Sequence, residues 1–181
     1  MCNMNFGQDL ELSSKHMRRG TIILICGKIA SGKSFYAEKL MRERSAILFS
    51  MDELFEICKL DFFNDEHNKL YPRIQRYLYE KAAALTEFGI DVIMDSGFWS
   101  KQERKYVTHV LNQLKVPFEW HYIDISDNDW DRNIQERNND VATAGVSQFL
   151  IDSHKKQEIN AEFETPDQDE IDVWIYNCRG D

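Results

Sequence analysis

Cysteine is scarce in this sequence, and the four cysteines of the 181-residue chain are not spaced for metal binding. None forms a C-x-x-C pair or a zinc-ligand pattern, and Cys26 lies in an apolar run where a thiol serves as a small buried hydrophobe. No apolar run is long enough to span a bilayer, and the N-terminus has no hydrophobic signal-peptide core. These absences disfavour a disulfide scaffold and predict a reduced, cytoplasmic protein without a membrane anchor.

An excess of positive charge is also missing. The chain has 22 Lys and Arg residues against 31 Asp and Glu residues, which gives a formal net charge of −9. Surfaces that bind nucleic acid or anionic membranes are usually basic. The charge balance therefore disfavours both as partners, without excluding a local basic groove for nucleic acid.

What the sequence does contain is a glycine-rich stretch, residues 27–34, that fits G-x-x-x-x-G-K-[ST], the pattern of a phosphate-binding loop. The apolar run at residues 21–26 predicts a strand before it, and good helix formers follow it. In such a loop Lys33 reaches the β- and γ-phosphates, and the Ser34 hydroxyl ligates Mg²⁺. The pattern predicts these ATP-binding residues: Gly27, Lys28, Ile29, Ala30, Ser31, Gly32, Lys33, Ser34 and Phe35.

Apolar runs and helical patterns alternate along the rest of the chain. Further strands are predicted at residues 45–50, 90–95, 118–125 and 171–176, and helices at 70–88, 101–116, 126–138 and 146–158. Loops are predicted at residues 60–68 and 140–145. The alternation predicts an α/β fold of three layers, α/β/α, around a five-stranded parallel sheet. We interpret residues 1–20 as an N-terminal extension and residues 21–181 as a single domain.

Two aspartates come directly after predicted strands, where ligands bind in an open parallel sheet. Asp95 ends the third strand and is placed to hold Mg²⁺ beside Ser34. Its alternative role is to cap the turn that follows. Asp52 follows the second strand and is placed to accept a proton from a substrate hydroxyl. Its alternative role is that of a helix N-cap.

Two arginines are candidates for binding phosphoryl oxygens. Arg132 and Arg137 lie on the charged helix after the fourth strand, and a guanidinium group suits the charge that develops during phosphoryl transfer. The alternative is a solvated helix face on which Asp131 and Glu136 pair with the arginines. For Arg104, on another helix, we expect a surface salt bridge.

With these residues in view, the chain resembles the small P-loop kinases, in particular the group of zeta-toxin-like kinases, chloramphenicol phosphotransferase and polynucleotide kinases. The resemblance covers residues 21–176 and depends on four stretches, at residues 27–34, 49–54, 94–99 with 103–104, and 132–138. In that group the aspartate matching Asp52 is the base, and the arginines matching Arg132 and Arg137 belong to a short helical lid. The chain departs from the group at residues 28–31, which lack an extra glycine or proline, and it has no guanine-specific N-K-x-D motif.

The resemblance implies a P-loop NTPase fold and transfer of the γ-phosphoryl group of ATP, with Mg²⁺, to a hydroxyl of a small molecule. Its catalytic residues would be Lys33, Asp52, Arg132 and Arg137, and its metal-binding residues Ser34 and Asp95. Two alternatives stay open, a polynucleotide 5′-hydroxyl kinase and a nucleotide-binding regulatory module without an acceptor. Aromatic side chains around Asp52, from Phe62, Phe63, Phe98 or Trp99, would indicate a flat or apolar acceptor.

Overall fold

The computed structural model describes residues 18–58, 65–144 and 150–177. Within them lies one five-stranded sheet, in the order β2-β3-β1-β4-β5, and every neighbouring pair of strands is parallel. The strands are β1 (Ile22–Cys26), β2 (Ile47–Ser50), β3 (Val92–Gly97), β4 (Phe118–Ile125) and β5 (Val173–Asn177). The predicted five-stranded parallel sheet is confirmed.

Six helices accompany the strands in the described part of the chain. They are α1 (Lys33–Arg44), α2 (Met51–Ile57), α3 (Asp65–Glu87), α4 (Lys101–Leu114), α5 (Asp127–Ala144) and α6 (Ser153–Glu162). Apolar side chains of α1 pack on one face of the sheet, and those of α2, α3 and α4 pack on the other. The result is the predicted α/β/α arrangement, and α5 and α6 share a smaller apolar cluster of their own.

The central strand β1 is fully buried, as its continuous apolar sequence predicts. Cys26 ends this strand, and burial raises the pKa of its thiol to about 12, so the thiol stays protonated and acts as a small core residue. The neighbouring strand β3 runs in register with β1, with Ile25 opposite Asp95. The last residues of β3 therefore lie beside the loop that leaves β1.

Three helices differ from the prediction. The helix predicted at residues 146–158 is α6, which begins at Ser153 and continues to Glu162, and residues 150–152 before it are not helical. Helix α5 continues to Ala144, whereas a loop was predicted from residue 140; Ala142 and Ala144 are strong helix formers, and their small size was misread as a loop signal. Helix α3 begins at Asp65, inside the loop predicted at residues 60–68, and it therefore contains Pro72 in its interior. Residues 60–64 and 145–149 lie outside the described residues.

The start of the described chain contacts the domain. The Gly20 N–H donates to the Thr86 carbonyl near the end of α3, and Arg18 forms a 3.4 Å ion pair with the buried Asp91. Most of the predicted extension, residues 1–17, lies outside the described residues. No helix in the described ranges is long and apolar enough to cross a membrane.

Candidate functional site

The loop between β1 and α1 has an unusual backbone. Gly32 has φ 95°, a conformation that other residues rarely adopt, and a Cβ atom there would lie 2.5 Å from the side-chain nitrogen of Asn177, which would have to shift. Ala30 has φ 58° although it is not glycine. The left-handed conformation costs an ordinary residue free energy, so the rest of the structure must hold the loop in this shape.

Side chains from two other elements hold three consecutive carbonyl groups of this loop. Trp130 donates to the Ile29 carbonyl at 2.8 Å, Asn133 to the Ala30 carbonyl at 2.9 Å, and Asn177 to the Ser31 carbonyl at 2.7 Å. A peptide N–H points away from the carbonyl of the same peptide plane. The three carbonyls point toward α5 and β5, so the N–H groups of the same peptide planes are favoured on the concave side of the loop. An anion-binding nest requires this arrangement.

Lys33, the first residue of α1, lies at the centre of a group of charges. Its ammonium donates to the Lys28 carbonyl across the loop at 2.8 Å. Burial lowers the pKa of Lys33, and the charges of Asp95 and Asp52 oppose this effect. An ammonium that is already held over the loop by a weak neutral acceptor is available to a stronger one, such as a phosphate oxygen.

Ser34 and Asp95 are in direct contact. The Ser34 hydroxyl donates to an Asp95 carboxylate oxygen at 2.9 Å, because β3 adjoins β1 and ends next to the start of α1. A hydroxyl and a carboxylate are the oxygen ligands that Mg²⁺ prefers. No group of three or more Asp, Glu, His or Cys side chains able to hold a metal occurs in the described ranges. A Mg²⁺ ion here would therefore depend on water and substrate phosphates for its other ligands.

The turn after Asp95 is tight and is held by a buried arginine. Gly97 and Phe98 both have positive φ, 77° and 47°. Arg104, only 2% exposed, donates to the carbonyls of Phe98, Trp99 and Glu164 at 3.0–3.3 Å and pairs with Glu170 at 3.0 Å. The expectation of a surface salt bridge for Arg104 was wrong, because its partners lie in turns that local sequence does not bring together.

Asp52 is the second residue of α2 and is exposed. Ser50 accepts the N–H of Glu53 at 3.3 Å and so caps this helix. The N-cap role suggested as the alternative for Asp52 thus belongs to Ser50. Burial lowers the pKa of Lys33 and of Arg137, and the negative charge of Asp52 opposes this lowering in both. The three side chains therefore lie within range of one another's charge.

The two arginines of α5 differ in their surroundings. Arg132 is 54% exposed and pairs with Asp129 one turn earlier, as on a solvated helix face. Arg137 is half-buried, and burial lowers its pKa while Asp52 opposes this. Asp131 pairs with Lys156 of α6, not with an arginine. The structure thus places Arg137, and not Arg132, in the charge group of Lys33 and Asp52.

The aromatic side chains considered as ligand contacts also differ in their exposure. Phe35 is 78% exposed in the first turn of α1, where it is open to a ligand that lies over the loop. Phe98 is fully buried and packs edge-on against Trp120 at 5.0 Å, so it lines the core. Trp99 is half-buried. Phe62 and Phe63 lie outside the described residues.

Three residues that hold the loop were missed from the sequence. Trp130, Asn133 and Asn177 lie 101, 103 and 146 residues from the carbonyls that they contact. The only local signal is the i, i+3 spacing of Trp130 and Asn133, which places them on one helix face. That spacing does not identify what the face contacts.

Comparison with known proteins places this geometry in a family. The model of the AAA_33 family, described as an AAA domain, matches residues 22–166, which is most of the chain. No curated protein matches the sequence.

Solved structures share the fold at low identity. The APS kinase CysC of Mycobacterium tuberculosis, solved with AMPPNP and APS, is 23% identical, with 90% of this chain and 91% of that chain covered and a TM-score of 0.60. A gluconokinase from Sinorhizobium meliloti is 12% identical, with coverages of 91% and 86% and a TM-score of 0.59. A sugar kinase from Janibacter is 15% identical, with coverages of 87% and 85% and a TM-score of 0.56. The chain belongs to the AAA_33 family, and its fold is that of the P-loop kinases.

Proposed function

We propose that this protein is a kinase that transfers the γ-phosphoryl group of ATP to a hydroxyl of a small molecule. The observation that carries the proposal is the geometry at the phosphate-binding loop, where the Lys33 ammonium lies across the loop and Ser34 contacts Asp95. The charges of Asp52 and Arg137 act on Lys33 at the same place. Two cations and two carboxylates in this arrangement can bind the phosphates, hold Mg²⁺ and accept a proton. A site that only bound nucleotide would not need the second carboxylate.

Each residue has a distinct role in this proposal. The loop N–H groups and Lys33 bind the phosphates, and Ser34 with Asp95 would hold Mg²⁺, which supplies positive charge next to the phosphoryl oxygens. Asp52 accepts the proton of the acceptor hydroxyl as that oxygen bonds to the γ-phosphorus. The bond between the γ-phosphorus and the bridging oxygen breaks, and its electron pair leaves with ADP. Arg137 stabilises the charge that spreads over the phosphoryl oxygens.

The acceptor class is proposed from the fold neighbours and from the charge of the chain. The neighbours named above act on small molecules, among them APS, a sugar and gluconate. The net charge of −9 disfavours a nucleic-acid acceptor. We therefore place a small hydroxyl compound first and a 5′-hydroxyl oligonucleotide second.

An acceptor screen tests the proposal. The protein would be incubated with Mg²⁺ and ATP carrying a labelled γ-phosphate, and with nucleosides, nucleotide sugars, sugars, aminoglycoside-like and phenolic antibiotics, and 5′-hydroxyl oligonucleotides. We expect label to appear on one acceptor class and to be lost in Lys33→Ala. Label on oligonucleotides alone would replace the first acceptor class with the second.

A nucleotide-binding regulatory module is the second candidate function. It is favoured by the exposure of Asp52, which is open to solvent at the start of α2. This candidate predicts that ATP binds but that no acceptor in the screen increases its turnover. The kinase proposal would then be wrong, although the nucleotide site would stand.

A further inference from the structure

One face of α5 contacts the phosphate-binding loop through two hydrogen bonds. Trp130 and Asn133 are one helical turn apart and donate to the consecutive carbonyls of Ile29 and Ala30, at 2.8 and 2.9 Å. Residues three apart in a helix share one face. A single rigid helix face thus fixes the orientation of two adjacent peptide groups in the loop.

The loop needs such a support at Ala30. This residue has φ 58°, a left-handed conformation that disfavours any side chain larger than hydrogen. The Asn133 amide donates to the carbonyl of this same residue. The hydrogen bond therefore acts where the backbone would otherwise relax, and it offsets part of the strain.

Trp130 packs against the loop as well as bonding to it. Trp130 is 2% exposed, and its cluster includes Ile29 and Ala30 of the loop. The side-chain oxygen of Asn133 is buried, and no described residue donates a hydrogen bond to it. Such an oxygen adds little to folding stability, so the hydrogen bond that the Asn133 amide donates to the loop is the contact that accounts for this residue.

We infer that Trp130 and Asn133 are positioning residues that hold the phosphate-binding loop in its nucleotide-binding shape. The inference rests on the proposed function, because the loop must bind nucleotide for its shape to matter. It also gives α5 two tasks, since the same helix carries Arg137. The loop and the arginine are thereby held by one helix, and a change at either donor affects nucleotide affinity without touching the nucleotide.

The first test removes one N–H group and keeps the aromatic ring. Trp130→Phe deletes the donor to Ile29, and Trp120→Phe is the matched control, because Trp120 is 4% exposed and donates to Thr108 at 3.0 Å, away from the loop. We expect Trp130→Phe to raise the dissociation constant for ATP about three- to tenfold, the usual effect of one hydrogen bond. Trp120→Phe should leave it unchanged. Equal ATP affinities in both variants and the wild type would overturn the role of Trp130.

The second test uses the strained residue. Asn133→Ala should raise the dissociation constant for ATP by a similar factor. In an Ala30→Gly background the same substitution should have a smaller effect, because glycine accepts the left-handed conformation without support. The wild type, the two single variants and the double variant together form a double-mutant cycle. The same increase in both backgrounds would contradict the link between Asn133 and the strain at Ala30.

Hydrogen exchange separates failure of this inference from failure of the proposed function. In the nucleotide-free protein, amides of residues 28–33 should exchange faster in Trp130→Phe and Asn133→Ala than in the wild type and Trp120→Phe. Unchanged exchange in both variants would overturn the inference even if ATP binds. Faster exchange in a protein that does not bind ATP would support the loop contact and reject the nucleotide site.

Discussion

The phosphate-binding loop and the start of α2 are the two halves of the proposed site, and they are built differently. The loop is backbone held from outside by α5 and β5, with its side-chain ammonium, Lys33, lying across it. The start of α2 contributes one exposed carboxylate, Asp52, on a helix of seven residues. In the proposed mechanism, nucleotide binding would therefore depend on many fixed groups, whereas proton transfer would depend on the single side chain of Asp52. The predictions below test this contrast.

The largest effect is expected at Asp52. Asp52→Asn keeps the size of the side chain but cannot accept a proton, so phosphoryl transfer should fall about 10²–10⁴-fold while ATP affinity stays near that of the wild type. Transfer rates and ATP titrations measure the two quantities. Glu53→Gln is the matched control on the adjacent exposed residue and should keep wild-type rates. A good acceptor turned over equally by Asp52→Asn and the wild type would remove Asp52 as the base.

Lys33→Ala should affect the other half of the site. Loss of the ammonium that crosses the loop should lower phosphoryl transfer about 10²–10³-fold, the usual cost of one charge-stabilising donor, and should also weaken ATP binding. Lys39→Ala, on the exposed side of the same helix, is the control and should change neither. Circular dichroism would check that both variants fold. Unchanged ATP affinity and turnover in Lys33→Ala would exclude the loop as the nucleotide site.

The metal-binding pair should give a smaller loss that depends on Mg²⁺. The Ser34 hydroxyl and the Asp95 carboxylate are in contact at 2.9 Å. Ser34→Ala removes the hydroxyl, and Asp95→Asn replaces the carboxylate with a neutral amide. We expect each to lower activity about 10–100-fold at limiting Mg²⁺, with partial recovery at high Mg²⁺. The measurement is turnover over a Mg²⁺ titration. Identical Mg²⁺ curves for the variants and the wild type would contradict the metal site.

The two arginines of α5 should differ from each other. Arg137→Ala should lower kcat about tenfold, the effect of one hydrogen bond to a charged group, with little change in ATP affinity because the charge that it meets grows in the transition state. Arg132→Ala should change kcat little, since Arg132 already pairs with Asp129. Steady-state kinetics and ATP titration compare them. A larger loss in Arg132→Ala would reverse the assignment.

The smallest effect concerns stability. Ala30→Gly removes the cost of a left-handed alanine, about 1–2 kcal/mol, and adds the entropy cost of glycine, about 0.5–1 kcal/mol. We therefore expect the free energy of unfolding to rise by up to about 1.5 kcal/mol. Ala84→Gly, exposed within α3, is the matched control and should lower it by about 1 kcal/mol. Denaturant unfolding measures both, and a loss of stability in Ala30→Gly would contradict the strain at this residue.

Local patterns predicted the part of the fold that local interactions determine. The apolar run of β1 and the glycines of the loop each involve neighbours in sequence, and the structure has the strand and the turn where they were expected. The parallel sheet followed from the alternation of strands and helices. The position of Asp95 next to Ser34 followed in turn, because both lie at the same edge of the sheet.

Contacts between distant residues could not be predicted in this way. The donors to the loop come from residues more than 100 positions away, and Arg104 is buried because it bonds to three carbonyls in two separate turns. Helical patterns show which residues share a face but not which element that face contacts. The same limit applied to Arg132 and Arg137, which look alike in sequence and differ only in what surrounds them.

The most direct test of the central claim is a crystal structure with Mg²⁺ and a non-hydrolysable ATP analogue. The account predicts that the phosphates lie on the N–H groups of the loop and that the Lys33 ammonium leaves the Lys28 carbonyl, which it contacts at 2.8 Å, for a phosphate oxygen. Mg²⁺ should lie at the Ser34 hydroxyl, and Asp52 should face the γ-phosphate. Phosphates bound elsewhere, or Lys33 still on the Lys28 carbonyl, would contradict the account.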